Sequence, residues 1–420
     1  MTQRQDIISA YLSYIGESEA PSTFHRWSCI TILGAWLGRR YSFQLGHFNI
    51  ASNVYCMLMG DAGSRKTTAI KIASSLLKKA GYENIAAERT TKEKFLMDLA
   101  GELSEHDAHS LKSSDDLMNE NLFGPASDSL HEILIAADEF NTFVGNGNIE
   151  FLSLLGVLWD YAGRFEDRKK NSRSLIINEP TVSILAGNTA TGFSLAFPAE
   201  AIGQGIFSRL ILIHGERTGT KITFPEPPSQ KEELLLIELL QAARQIAVGK
   251  AALHHDAKLL LDAIYKSWGG MQDVRFESYA NRRFSHLIKL CLICSAAALR
   301  SSIEECDVVY ANTILTHAEH SMSRALGEFG KARNSAAAHK VIQMLEASYL
   351  PITINTLWTS IHNDLDTPDA LKDLLSNLVL AGKIVSTKGG FLAKRSILEE
   401  VSTKYVDFSL LTEGERKYIV

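Results

Sequence analysis

The chain has 420 residues, enough for two or three domains, and its 45% hydrophobic and 22% charged content is that of an ordinary globular protein. A formal net charge of −5 excludes a globally basic nucleic-acid binder, so any nucleic-acid surface must be local. The sequence contains no signal-peptide pattern and no run of about 18 apolar residues, which argues against a membrane partner and makes a cytoplasmic location the expectation.

The first stretch that carries chemistry is YCMLMGDAGSRKTTAIKIASSLL, Tyr55 to Leu77. Val54 to Met59 is an apolar run of strand length. Gly60, Asp61, Ala62, Gly63, Ser64, Arg65, Lys66 and Thr67, with Thr68 next, read against the phosphate-loop pattern G-x-x-x-x-G-K-[ST]. Gly60, Lys66 and Thr67 fit. Arg65 fills the second glycine position, and Gly63 sits two residues early. From Thr67 on, Ile70, Ile72, Ala73, Leu76 and Leu77 recur at helical spacing before a stop at Gly81. A helix starting here turns its free N–H groups and positive dipole end toward an anion. Strand, glycine turn, Lys-Thr and helix stand in the order that predicts bound ATP, with Lys66 on the β- and γ-phosphates and Thr67 on Mg2+. A glycine loop between two core elements is the plain alternative.

Glu102 to Ser129 is polar and reads as a surface insertion. EILIAADEF, Glu132 to Phe140, then gives a buried strand ending in two acids, as in a Walker B strand. Asp138 is placed to hold the hydrated magnesium and Glu139 to polarise the attacking water. RFEDRKKNSRSLIINEP, Arg164 to Pro180, sets Arg168, Lys169, Lys170 and Arg173 between two short strand-like runs, a hairpin with a basic tip. TVSILAGNT, Thr181 to Thr189, is the next strand and ends in Asn188. In GQGIFSRLILIHGER, Arg209 precedes the apolar strand Leu210 to Ile213, and Arg217 follows it.

Strand and P-loop, acidic pair, strand-end asparagine and pre-strand arginine, in that order, resemble an AAA+ ATPase. More narrowly they are similar to the AAA+ ATPases of phages, prophages and plasmids, labelled primase/helicase-like or left as an uncharacterised domain. APSTFHRWSCITILGAWLGRR looks like that group's N-terminal helical segment, GSRKTTAI like its glycine-poor P-loop and GIFSRL like its arginine motif. The resemblance covers roughly Ala20 to Arg217. It implies that Arg65 is a variant the group uses and that Asn188 orients water beside the γ-phosphate. It implies that Arg209 is a finger acting on the neighbouring subunit's nucleotide, with Arg217 the second candidate. The basic hairpin would reach a ring's central pore and track DNA phosphates; a solvated tip is the alternative.

From about Gln230 to Lys331 the signal is helical and resembles the lid that follows an AAA+ core, where Arg282 or Arg283 would be a second sensor. The C-x-x-C pair Cys291 and Cys294 sits in an apolar helix and reads as core packing. The last hundred residues hold three amphipathic helices, the third with Thr367 as N-cap and Pro368 at its first position, then a hairpin turning at Gly389-Gly390. This is the plan of a winged helix. Its third helix carries Asp369, Lys372 and Asp373, a poor surface for phosphates, while Lys383, Lys388, Lys394 and Arg395 cluster on the wing. A protein-contacting role is the alternative to DNA.

The expected fold class is α/β: an AAA+ core, a parallel sheet between helices, at 51–228, after an N-terminal helical segment at 1–50. A helical lid at 229–333, a winged helix at 334–400 and a tail at 401–420 follow. The expected function is an ATP-hydrolysing homo-oligomer, a hexameric ring, serving as a DNA helicase or translocase on single-stranded or forked DNA for a mobile element. A replication-protein partner is compatible with it. The alternative is a loader or switch that remodels a partner protein; a scaffold without turnover is disfavoured by Glu139.

Overall fold

The computed structural model describes residues 6–101, 131–168, 174–197, 205–271, 273–327, 337, 340–345, 348, 350–362, 365, 367–380, 384–387, 389–393 and 405–416. The polar insertion, the hairpin residues Lys169, Lys170 and Arg173, and the wing residues Lys383, Lys388, Lys394 and Arg395 lie outside them.

Helices α1 (Ile7–Ile15) and α2 (Ser22–Leu37) lead into a short antiparallel pair, β1 (Tyr41–Leu45) and β2 (Phe48–Ala51). Then come β3 (Tyr55–Met59), α3 (Lys66–Lys79), α4 (Lys92–Ala100) and β4 (Glu132–Ala137). An antiparallel hairpin, β5 (Arg164–Asp167) and β6 (Leu175–Asn178), precedes β7 (Thr181–Asn188) and β8 (Leu210–His214). Strands β3, β4, β7 and β8 form one parallel sheet in the order β4-β7-β3-β8. All five residues of β3 and all eight of β7 are buried. Such strands read as continuous apolar runs because helices cover both faces of a parallel sheet. One of those helices, α2, has every residue from Thr23 to Leu37 buried. A side chain at its Gly34 would put Cβ 2.6 Å from the Ser52 carbonyl oxygen, so the small residue sets that close approach.

The described residues divide into two compact units, and these cut the chain differently from the sequence segments. One is built from 1–266, 270–326 and 405–420, the other from 267–269 and 327–404. The segments expected as N-terminal lead-in and lid are therefore layers of the same body as the sheet. The helix Glu305–Leu326 packs on β8, and the helix Arg283–Ala297 packs on α2. Cys291 and Cys294 in that second helix are buried and form no disulfide, as packing residues should. Its Lys289 is buried too. Nζ donates to the Ala51 carbonyl at 3.0 Å, Asn53 Oδ1 at 2.7 Å and Asp160 Oδ1 at 2.8 Å, pinning the start of β3. Burial pushes the Lys289 ammonium down against the pull of Asp160.

The expected tail is also part of this unit. Asn312 Nδ2 donates to the Tyr405 carbonyl at 3.0 Å, and the Asp407 N–H donates to Thr313 Oγ1 at 2.9 Å. Arg26 of α2 grips Glu415 with two bonds, Nε to Oε1 at 2.6 Å and Nη2 to Oε2 at 2.7 Å, both residues buried. That guanidinium holds the Glu415 carboxyl below its usual range despite burial.

In the second unit, helices Ile354–Ile361 and Pro368–Leu380 and an antiparallel hairpin, Ile384–Thr387 with Gly390–Ala393, share one apolar core. Leu357, Ile361, Leu371, Leu375 and Ile384 meet Val341 and Leu345 of an earlier helical stretch there. The Ala370 N–H donates to Thr367 Oγ1 at 3.2 Å, the expected cap. No helix among the described residues is long and apolar enough to cross a membrane.

Candidate functional site

The C-terminal ends of three adjacent strands set Gly60, Asn188 and Asp138 side by side. Met59 pairs with Asn188, and Ala137 pairs with Ala186, which brings Asp138 level with Gly187. The Gly60 N–H donates to the Asn188 carbonyl at 3.3 Å. A Cβ at Gly60 would lie 2.4 Å from the Gly215 carbonyl oxygen, and one at Gly187 would lie 2.5 Å from that of Asp138. Only glycine lets the strands' ends come this close. Open ends of this kind on a parallel sheet are where ligands bind in α/β proteins.

The loop after β3 answers what Arg65 does at the second glycine position. Its backbone is left-handed, φ 64 and ψ 25, a conformation glycine adopts without strain. Arginine holds it at a cost of about 1–2 kcal/mol. Its guanidinium pairs with Glu19, whose Oε1 also accepts the Ile222 N–H at 2.9 Å. That N–H and then Arg65 hold the Glu19 carboxyl below its usual range. The departure from the pattern thus keeps the loop's turn and adds a tether.

Lys66 opens α3, and no side chain caps that helix's first turn. Nζ folds back onto the loop, donating to the Gly60 carbonyl at 2.7 Å, the Asp61 carbonyl at 2.9 Å and Ser64 Oγ at 3.2 Å. Burial lowers its pKa, while Asp61 and Glu139 oppose the shift. Asp61, Ala62 and Gly63 are exposed, Ser64 is buried, Thr67 is half-buried and Thr68 exposed. Asp138 Oδ2 lies 3.3 Å from Lys71 Nζ, a partly exposed pair that a divalent cation can displace. Glu139 is exposed and weakly bonded, its Oε2 accepting from Thr142 Oγ1 at 3.4 Å. Lys71, Asp138, Glu139 and Thr142 line a cleft of about 560 Å³ beside the loop. Asn188 is 2% exposed; its Oδ1 accepts the Thr189 N–H at 2.9 Å, but its Nδ2 has no partner among the described residues. A buried donor left unpaired costs about 1–3 kcal/mol, so a phosphate oxygen or water here would be stabilising.

The residues fit a nucleoside triphosphate with magnesium. Lys66 and the uncapped α3 N-terminus would meet phosphate charge. Among the described residues no group of three or more His, Cys, Asp or Glu could hold a metal. Magnesium would therefore rest on Thr67, Asp138, water and the nucleotide's own oxygens, as that ion commonly does.

Three arginines, Arg217, Arg282 and Arg283, lie elsewhere than the sequence suggested, while Arg209 stands where it was expected, just before β8. Arg217, the second finger candidate, donates to the Ala62 carbonyl of the chain's own loop and so lies against that loop. Glu19 steadies it: the Glu19 carbonyl accepts Thr218 Oγ1 at 3.0 Å, and the Arg65 tether ends on the same residue. Sequence reading missed Glu19 because its partners are distant in the chain. Arg283 is no sensor; it is buried, with Nε 2.8 Å from Glu319 Oε1 and Nη2 3.0 Å from Asn312 Oδ1. Arg282 packs over Trp159, whose carbonyl accepts Asn53 Nδ2 just before β3, at the sheet's other end. Arg209 also sits at that end, preceding Leu210, which pairs with Tyr55. Across the five residues of β3 this is about 17 Å from the loop, so Arg209 cannot serve its own P-loop. Arg168, at the exposed base of the basic tip, donates to Glu166 Oε2 at 2.8 Å.

Comparison of the chain with models of protein families and with curated proteins finds no match in either.

Proposed function

We propose that the protein hydrolyses ATP at the loop Gly60–Thr67. One observation carries the reading: Gly60, Asp138 and Asn188 stand side by side at the ends of three adjacent parallel strands, with Lys66 Nζ on the Gly60 carbonyl and, among the described residues, a buried amide donor of Asn188 left unpaired. Lys66 and Arg217 would neutralise phosphate charge, and Thr67 and Asp138 would hold Mg2+, which would add positive charge at the phosphates. Glu139 takes the proton of the attacking water, and Asn188 fixes that water or a γ-oxygen. Lys66→Ala should abolish nucleotide binding, while Glu139→Gln should bind ATP and release no phosphate. Wild-type phosphate release by Glu139→Gln would sink the assignment.

We read the whole chain as an AAA+ ring ATPase of the phage, prophage and plasmid primase-helicase kind, acting on single-stranded or forked DNA. Support comes from the β5–β6 hairpin, lying between the acidic strand and the asparagine strand, and from a second unit with the elements of a winged helix. A helicase loader or remodelling switch is the second reading. Two cations bear on it. Lys372 pairs with Asp369, 2.8 Å away, which weakens it as a phosphate contact, whereas Arg168 shares the one carboxylate of Glu166 with Arg164 and keeps part of its charge. ATP hydrolysis with and without single-stranded, duplex and forked DNA decides. Stimulation lost on changing Lys169 and Lys170 to alanine favours the helicase, and no response to any DNA favours the loader.

A further inference from the structure

Lys71 stands one helical turn after Thr67 on α3, so the two side chains share a face of the helix, with Cβ atoms about 5–6 Å apart. Its Nζ lies 3.3 Å from Asp138 Oδ2. Thr67 and Asp138 are the two residues that would hold magnesium, and Lys71 borders both. The backbone fixes this placement. The register of β4 on β7 sets Asp138 level with Gly187. At that glycine α3 presses on the strand, because a Cβ there would lie 3.4 Å from side-chain atoms of both Lys66 and Ile70. The helical period then carries Lys71 to the edge of β4.

The charges around Lys71 say what an ammonium does there. Glu88, Asp138 and Glu139 line the cleft beside the loop, together with Lys71, Ser74 and Lys78. A triphosphate on the loop adds negative charge next to Asp138 and Glu139, and like charges at close range repel. Lys71 offsets part of that repulsion at Asp138. Its pair is 66% and 39% exposed, so it is weak and gives way to a divalent cation. A buried, strong pair would instead keep the metal out.

We propose that Lys71 is a positioning residue that stands in for magnesium at Asp138. It neutralises that carboxylate whenever the loop takes nucleotide without metal, and on metal binding it gives Asp138 up and turns into the cleft. The loop can then accept free or metal-bound nucleotide, and Lys71 sets how strongly it prefers the second. This rests on the ATPase reading above.

The test uses the full chain and a fluorescent ATP analogue, titrated once in EDTA and once in Mg2+. The quantity read is the ratio of the EDTA Kd to the Mg2+ Kd. Lys71→Gln, which keeps a polar chain without charge, should raise that ratio about two- to fivefold, the scale of an exposed ion pair. Binding in EDTA weakens because Asp138 is left bare, and Mg2+ no longer displaces a resident cation. Lys71→Arg should keep the wild-type ratio. So should Lys78→Gln, which removes a charge from the same cleft about two turns further along α3. In an Asp138→Asn background, Lys71→Gln should change nothing, because the two residues act as a pair. An unchanged ratio in Lys71→Gln overturns the inference and leaves the ATPase reading standing. An equal rise in Lys78→Gln, in Lys71→Arg or in the Asp138→Asn background also overturns it, since the effect would not then belong to a charge held at Asp138. A wild-type protein that binds the analogue in neither condition sinks both readings.

Discussion

A left-handed arginine at the loop's second glycine position sets opposing free energies against each other. Arg65→Gly relieves about 1–2 kcal/mol of backbone strain. It also gives the unfolded chain about 0.5–1 kcal/mol of extra freedom and removes an exposed pair worth up to about 1 kcal/mol. We expect its unfolding free energy in urea to stay within about 1 kcal/mol of wild type, whereas Arg65→Val, branched at Cβ, should lose about 1–3 kcal/mol. Equal behaviour of the two variants would mean that the left-handed turn is not formed. Two buried histidines give a second residue-scale expectation. Burial lowers His25 to about 4 and His286 to about 3, from an ordinary 6.5. Below about pH 6.5 the unfolded chain binds protons that the fold refuses, so their contribution is complete above that pH and is lost as pH falls toward 4 and 3. Each adds a slope of about 1.4 kcal/mol per pH unit in its window. His286→Gln should therefore flatten stability against pH between 6 and 4 by about that amount; an unchanged slope would mean that His286 is protonated in the fold.

At the scale of elements, the four strands of the parallel sheet were legible because doubly covered strands are written as unbroken apolar runs with their chemistry at the C-terminal end. Gly60, Asp138 and Asn188 could be picked out for that reason, and the β5–β6 hairpin from its paired short runs. Register was not legible, and neither was the far partner of any polar side chain. Nothing local in GERTGT says that Arg217 bends back over Ala62, 155 residues earlier, or that Arg283 spends its charge on Glu319. Helical periodicity located the helices after Ser229 but could not say that they share a body with the sheet. Arg217 brings its own expectation. If it moves from the Ala62 carbonyl to a phosphate, Arg217→Ala should weaken ATP binding about 10- to 100-fold, the worth of a charge-assisted bond, in a fluorescent-nucleotide titration. An unchanged affinity would leave it as a loop clasp only.

For the whole molecule, the chain leaves its first unit at Leu326, builds the second, and comes back at Tyr405 to finish the first. A truncation ending at Lys404 should therefore damage the unit that carries the P-loop. It strands the buried Arg26 without Glu415, a loss of about 3–5 kcal/mol for a broken buried pair. Glu415→Ala should reproduce most of the drop in thermal unfolding, and excision of 327–404 behind a short linker should largely avoid it. A truncated protein as heat-stable as the full chain would contradict the pairing. The same bond sets a clock on synthesis. Arg26 and Glu415 are 389 residues apart, so at about 5–20 residues per second the arginine waits roughly 20–80 s for its carboxylate. During that wait α2, which nearly every layer of the first unit packs around, holds an unmatched charge and the nascent core stays open. A ribosome that stops early releases a chain whose first unit keeps this unmatched charge, is less stable for it, and opens more often to proteases.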